Sequence, residues 1–235
     1  MANSAMPSST NETDDDPLHL SDDRSNLVYT SCYCEENVWK LCEEIARRTR
    51  PLDSDSDVIS HCHVAFISNP NKTVPIWCQR ASHDPASHPV VWDYHVILIF
   101  DSRAKPSDGR TKSASLSTTS SSSSLVYDLD TVLSFPQKFS VYYEKSFHND
   151  SELKPAYRRF FRVIPADEYL RSFASDRRHM RRTDGSWKMP PPSYPPIVAA
   201  DGDINNIDKC IDVTQKASLG RVVDANEFYK MFADG

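Results

Sequence analysis

Glycine and long apolar runs are both scarce in this chain. Only five of its 235 residues are glycine, and none of them forms a glycine-rich phosphate loop, so we expect no nucleotide-dependent chemistry and no cofactor. No apolar stretch approaches the ~20 residues that cross a bilayer. The N-terminus also lacks the apolar core of a secretory signal. We therefore expect no membrane association and a cytoplasmic location, with the nucleus as a second compartment.

An excess of positive charge is also missing. The net charge is -6, and residues 1–24 alone carry six acidic side chains against one arginine, a balance of -5. The rest of the chain is therefore close to neutral, at about -1. Nucleic-acid binding requires a basic face, so we expect no nucleic-acid partner.

The six cysteines do not have the paired spacing of a structural metal site. Cys32, Cys34, Cys42, His61, Cys62 and His63 are of ligand type, but neither C-x2-C nor H-x3-5-H occurs among them. In a chain with no export signal, cysteines are expected to be reduced thiols rather than a disulfide framework. We predict no metal, and we interpret Cys42, Cys62, Cys78 and Cys210 as small buried side chains.

Composition divides the chain into three kinds of segment. Residues 1–25 are rich in Ser, Asp and Asn, which predicts a disordered acidic tail. Residues 102–124 hold ten serines and almost no apolar side chain, which predicts a flexible surface insertion. The length of 26–235 suits a single domain, which we expect to act as a monomer.

Hydrophobic periodicity predicts an α+β fold. Helical spacing over 35–48 is followed by short strands at 64–67 and 74–77, a strong central strand at 90–100 and another at 125–133. A strand at 158–164, a helix from Pro165 to about Met180, and a final helix capped by Asp224 complete the pattern. If strands 90–100 and 125–133 pair antiparallel around the serine-rich segment, Phe100 lies near residue 123.

That pairing brings a histidine and an aspartate together near a helix-borne cysteine. His95 in Trp-Asp-Tyr-His-Val (92–96) would share a sheet face with Asp128 in Tyr-Asp-Leu-Asp-Thr (127–131). Cys34 in Ser-Cys-Tyr-Cys-Glu-Glu-Asn (31–37) would lie at the start of the first helix, where free N–H groups and the dipole lower a thiol pKa. Thiol, base and carboxylate are the elements of nucleophilic acyl transfer. Cys32, Asp93 and Asp130 remain rivals for these roles.

The three motifs, with Val-Pro-Ile-Trp (74–77) and Phe-Ala-Ser-Asp-Arg (173–177), resemble the protein N-terminal glutamine amidohydrolase family from about Val28 to the C-terminus. This resemblance implies a catalytic triad of Cys34, His95 and Asp128. It implies a single catalytic domain with a papain/transglutaminase-like fold: a central, mostly antiparallel sheet and a helix bearing the nucleophilic cysteine at its N-terminus. The substrate would be a polypeptide beginning with glutamine, deamidated to glutamate with release of ammonia. The product would then enter N-degron protein turnover.

Selecting an N-terminal residue requires a site for its free α-ammonium. Glu35, Glu36 and Asp93 are local carboxylate candidates, and Trp92 and Tyr33 are candidate pocket walls, although large aromatics are more often core. The remaining histidines, His179 among them, are expected to be ordinary surface residues. Two alternatives stay open: a papain-like protease or transglutaminase with the same triad, and a non-catalytic module that binds N-termini.

Overall fold

The computed structural model describes residue 18 and residues 20–48, 58–103, 123–215 and 218–233. The strands are β1 (Cys62–Ser68), β2 (Val74–Ile76), β3 (Val90–Trp92), β4 (His95–Phe100), β5 (Leu125–Tyr127), β6 (Gln137–Lys138), β7 (Phe160–Pro165) and β8 (Arg221–Asp224). The helices are α1 (Cys34–Arg48), α2 (Phe139–Tyr142), α3 (Ala166–Ser172), α4 (Ile207–Ile211) and α5 (Ala225–Phe232). No helix in these described ranges is both long enough and apolar enough to traverse a bilayer.

Six of the strands form one antiparallel sheet in the order β6-β5-β4-β1-β7-β8. This confirms the predicted α+β class with a mostly antiparallel central sheet. Strands β2 and β3 form a separate two-stranded ribbon. Every residue of β4 is buried, in agreement with its continuous apolar sequence and its central place beside β1.

Alternate side chains of the central strands enter two cores, one on each face of the sheet. Val64, Phe66, Val96 and Leu98 pack with the apolar residues of α1, α3 and α4. Residues of opposite parity, including Ile97 and Ile99, pack with α5 and the aromatic side chains around α2. The sheet is therefore covered on both faces, and the site lies at one end of its central strands.

Helix α1 follows the predicted pattern. Its apolar residues Val38, Leu41, Cys42 and Ile45 are buried against the sheet, and Cys34 is its first residue. The loop before it is fixed because the side chain of Asn37 bonds both the N–H and the carbonyl of Thr30, at 2.8 and 2.9 Å.

Three elements are shorter than predicted. Where the first two end, side chains form hydrogen bonds with backbone groups. Asp93 Oδ1 accepts the N–H of Tyr94 at 3.0 Å, where strand 90–100 breaks into β3 and β4. The predicted helix from Pro165 to about Met180 ends at Ser172, since the Asn206 side chain bonds the carbonyl of Ser172 and the N–H of Ala174. The predicted strand 125–133 stops at Tyr127.

Part of the expected tail is ordered. Leu20 is fully buried in the core, and Ser21–Asn26 form a short 3-10 helix. Arg24 donates to three backbone carbonyls, those of Asp128, Leu129 and Thr131. The structure therefore gives residues 20–25 a defined conformation, while residues 1–17, residue 19 and most of the serine-rich segment lie outside the described residues.

Candidate active site

The β4–β5 hairpin brings His95 and Asp128 together. His95 Nε2 lies 3.0 Å from Asp128 Oδ1, and both side chains are buried. Phe100 pairs with Leu125 rather than with residue 123, so the predicted register is wrong by two residues. A shift of two preserves the face to which each side chain points, which is why the predicted contact is present in spite of the shift.

Asp128 lies just beyond the end of β5 and is held by four hydrogen bonds. Its Oδ1 accepts from His95 and from the N–H of Asp130, while its Oδ2 accepts from Gln79 Nε2 at 2.9 Å and Tyr142 Oη at 2.8 Å. Burial raises the pKa of Asp128, but the charge of His95 and these hydrogen bonds outweigh it and lower the pKa to about 2. The group is therefore a stable buried anion at neutral pH.

His95 is oriented by that anion and by an aromatic neighbour. The Trp92 ring stacks on the imidazole, with centroids 5.6 Å apart and planes 16° from parallel. Burial lowers the pKa of His95, but the charge and hydrogen bond of Asp128 outweigh it, so the pKa is raised. Since Asp128 accepts from Nε2, the other ring nitrogen, Nδ1, is left to take a proton.

Cys34 opens onto the same cavity as His95. The cavity has a volume of about 410 Å³, and Cys32, Trp92, Asp93, Asp130 and His179 also line it. Burial raises the pKa of the Cys34 thiol well above its usual value, and the charges of Glu35 and Asp130 add to this effect. The lowered pKa expected for a thiol at the helix start is therefore wrong, because burial and these charges outweigh the effect of the helix.

Comparison with known proteins bears on this constellation. The sequence model of the N-terminal glutamine amidase family matches residues 29–232. The chain belongs to this family. Proteins named "Protein N-terminal glutamine amidohydrolase" from Danio rerio and Drosophila melanogaster are each 44% identical, over 209 and 208 residues, covering 88% of this chain and 90% and 89% of theirs. The Bos taurus protein of that name is 42% identical over 210 residues, 89% of each chain.

Among the residues expected to bind substrate in this amidase, Trp92 and Asp93 line the cavity. Tyr33 does not: it is buried, and its hydroxyl donates to the carbonyl of Met189 at 3.2 Å, so it supports the wall from behind.

Glu36 also lies away from the cavity. Its two carboxylate oxygens accept from Arg177 Nε and Nη2 at 2.9 and 2.8 Å, and both side chains are buried. Both carboxylate oxygens are engaged by this ion pair, so nothing in this geometry supports the expectation that Glu36 binds substrate. The pair instead ties the first turn of α1 to the Phe-Ala-Ser-Asp-Arg motif (173–177).

Glu35 is buried directly beside Cys34. Its Oε2 accepts from Tyr94 Oη at 2.9 Å and lies 3.7 Å from Cys34 Sγ. Its Oε1 is buried with no hydrogen-bond partner, and His179 Nε2 lies 3.5 Å from it. Glu35 thus borders the thiol without itself lining the cavity.

His179 is the residue that sequence reasoning missed. It lines the cavity and faces Glu35, although it lies within a short 3-10 helix, Arg178–Met180, in a polar segment and was expected to lie on the surface. The only sequence signal was its position two residues after the Phe-Ala-Ser-Asp-Arg motif.

One cluster in the described ranges has the composition of a metal site. His95, Asp128 and Asp130 each place a donor atom within 4.8 Å of the others. Both oxygens of Asp128, however, already accept hydrogen bonds, one of them from the histidine. Hydrogen bonding accounts for this cluster, and the donor set gives no reason to place an ion there.

Proposed function

We propose that this protein hydrolyses the side-chain amide of an N-terminal glutamine in polypeptides, giving glutamate and ammonia. The observation that carries the proposal is the 3.0 Å bond between His95 and buried Asp128, beside a cavity that Cys34 also lines. The names of the relatives, which describe this reaction, support the substrate. We further propose that the fold is papain/transglutaminase-like, with one catalytic domain that acts as a monomer.

In the first half-reaction, His95 takes the proton of Cys34 and the sulfur attacks the amide carbon. The tetrahedral intermediate collapses when the imidazolium gives its proton to the departing nitrogen, which leaves as ammonia. A thioester between Cys34 and the substrate side chain remains. Asp128 keeps the second imidazole nitrogen protonated and stabilises the imidazolium throughout.

In the second half-reaction, His95 takes a proton from water, and the resulting hydroxide attacks the thioester carbon. Collapse of this intermediate releases the glutamate side chain and restores the thiol. The backbone N–H of Cys34 at the helix start is our candidate for holding the oxyanion. The balance is glutamine plus water giving glutamate plus ammonia.

A polypeptide substrate needs an exit for its remaining residues. Lys72, Asp208 and Ile211 line both the thiol cavity and a second cavity of about 370 Å³, so the two are adjoining. This favours a chain that extends away from its N-terminal residue. We propose that the product, a polypeptide beginning with glutamate, continues into N-degron turnover in the cytoplasm or nucleus.

The alternatives differ in their products. A papain-like protease would release fragments, a transglutaminase would form crosslinks to lysine, and a binding module would do neither. Purified protein should be incubated with a Gln-initiated peptide, its N-acetylated twin and an internal-Gln peptide, with ammonia and mass detection. We expect a mass increase of about one dalton, with release of ammonia, from the free Gln-initiated peptide alone. Cleavage fragments, crosslinked products or the absence of any reaction would overturn the proposal.

Substitution of each cysteine tests the choice of nucleophile. Cys34→Ala should abolish turnover without a change in thermal unfolding, because the reacting sulfur is lost. Cys32→Ala is the matched control: Cys32 also lines the cavity but precedes the helix, and this variant should keep substantial activity. An inactive but folded Cys32→Ala protein, or an active Cys34→Ala protein, would reverse the assignment.

A further inference from the structure

The charges of three carboxylates act on the sulfur of Cys34. Glu35 lies behind it, with Oε2 at 3.7 Å, whereas Asp93 and Asp130 lie on the cavity wall. All three oppose loss of the thiol proton electrostatically. The proposed mechanism needs that proton to leave, so this arrangement is unfavourable in the free protein.

The environment of Glu35 marks it as more than a structural group. It is fully buried, yet Oε1 accepts no hydrogen bond, and the nitrogen that faces it, His179 Nε2, stays 3.5 Å away. Such a group is costly to leave unsatisfied, and each case in a native structure calls for an explanation. Asp130 has one oxygen bonded to Tyr29 Oη, at 2.5 Å.

We propose that Glu35, together with Asp93 and Asp130, makes activation of Cys34 depend on the α-ammonium of the substrate. The cation offsets the negative charge around the sulfur as it enters the cavity, and the proton then moves from Sγ to His95. The inference rests on the proposed function and explains why a free N-terminus would be required for chemistry as well as for binding.

The covalent structure of glutamine suits this coupling. Four bonds separate the α-nitrogen from the side-chain amide carbon, a span of at most about 5 Å by standard bond lengths. When Cys34 attacks that carbon, the ammonium is therefore held close to the carboxylates around the sulfur. An N-acetylated or internal glutamine brings an amide instead, which leaves their charge in place.

Other titratable groups near the sulfur do not replace this role. Tyr94 donates to Glu35 and Tyr169 donates to its backbone carbonyl, and burial raises the pKa of both hydroxyls, so they stay neutral. The remaining ionisable groups that border this region are His95, His179, Lys72, Lys188, Cys32 and Asp208.

Alkylation of Cys34 by iodoacetamide without any peptide tests the first half of the proposal. The alkylation rate is measured from about pH 6 to about pH 10, a range that brackets the usual thiol pKa. Peptide mass mapping distinguishes alkylation of Cys34 from alkylation of exposed Cys32. Glu35→Gln should be alkylated roughly tenfold faster at neutral pH, because loss of its charge lowers the pKa of the thiol. Glu43→Gln, an exposed change on the same helix, should match the unmodified protein.

Kinetics with peptides test the second half. The ratio of kcat/KM for the free Gln-initiated peptide to that for its N-acetylated twin should fall in Glu35→Gln. If that variant fails to fold, Asp93→Asn, at an exposed position, should move alkylation and selectivity in the same direction. A folded Glu35→Gln protein with unchanged or slower alkylation would overturn the proposal. If the unmodified protein released no ammonia from any peptide, the proposed function would fail. The alkylation assay contains no peptide, so it distinguishes that failure from a failure of the proposed effect of Glu35 on Cys34.

Discussion

Replacement of Glu36 by glutamine is expected to destabilise the protein through the buried partner that it leaves behind. Arg177 now donates two hydrogen bonds to the Glu36 carboxylate, with the side chains 5% and 0% exposed. In the variant the guanidinium stays buried and charged, but it faces a neutral amide. Desolvation of that charge is then no longer offset by an opposite charge.

The size of the effect follows from what Arg177 retains. Removing one partner of a buried ion pair costs about 3–5 kcal/mol. The carbonyls of Pro192 and Pro195 still accept from Arg177, at 3.2 and 3.4 Å, so we expect the low end, about 3 kcal/mol. For a chain of this length, each kcal/mol lowers Tm by about 2–4 °C, which gives a decrease of about 6–12 °C.

Thermal unfolding of Glu36→Gln measures this directly, with urea unfolding as a second measure. Asp167→Asn provides a matched control, because Asp167 pairs with Arg171 on the surface, and such a pair contributes about 0–1 kcal/mol. A double variant with leucine at 36 and methionine at 177 should recover most of the loss. A Glu36→Gln protein with unchanged Tm but raised KM would refute the reasoning and return Glu36 to the substrate site.

Two further predictions concern acid stability and a single glycine. Since the pKa of Asp128 is lowered to about 2 from its ordinary 3.8, its charge stabilises the fold fully above about pH 4, and this contribution is lost as pH falls through about 2. The free energy of unfolding, measured with urea, should therefore fall less between about pH 4 and about pH 2 for Asp128→Asn than for the unmodified protein. Parallel plots of that free energy against pH for the two proteins would contradict this. Gly220→Ala should lower Tm far more than Gly202→Ala: both positions have positive φ, but a Cβ at 220 would overlap the carbonyl oxygen of Val163, whereas at 202 it meets open space. Equal losses in Tm would show that backbone strain, not the overlap, decides.

The contact between His95 and Asp128 was predictable because it depends only on which face of the sheet each side chain points to, and this alternates along a strand. Two strands in antiparallel order bring side chains of one face together even when the register shifts by two. The end of β5 at Tyr127 was less predictable. Asp128 is in a turn in which its own Oδ1 accepts the N–H of Asp130, and aspartate can also occupy a strand.

The direction of the pKa shift of the Cys34 thiol was predicted wrongly from the sequence. A cysteine at a helix start suggests a lowered pKa, but here burial and the adjacent Glu35 raise it. His179 is 145 positions from Cys34 in the chain, and no local pattern reports a contact at that separation. The partnership of Glu36 with Arg177, 141 residues apart, was hidden for the same reason.

The contacts of Arg24 with the carbonyls around Asp128 have a consequence for how the protein acquires its native state. These hydrogen bonds span 104 to 107 residues of sequence, so a segment that is synthesised early stabilises a turn that is synthesised much later. Closing so long a loop is entropically costly and slows folding relative to local contacts. On a ribosome, residues 20–26 therefore wait until more than half of the chain has emerged, and the turn that carries Asp128 is completed only after that delay.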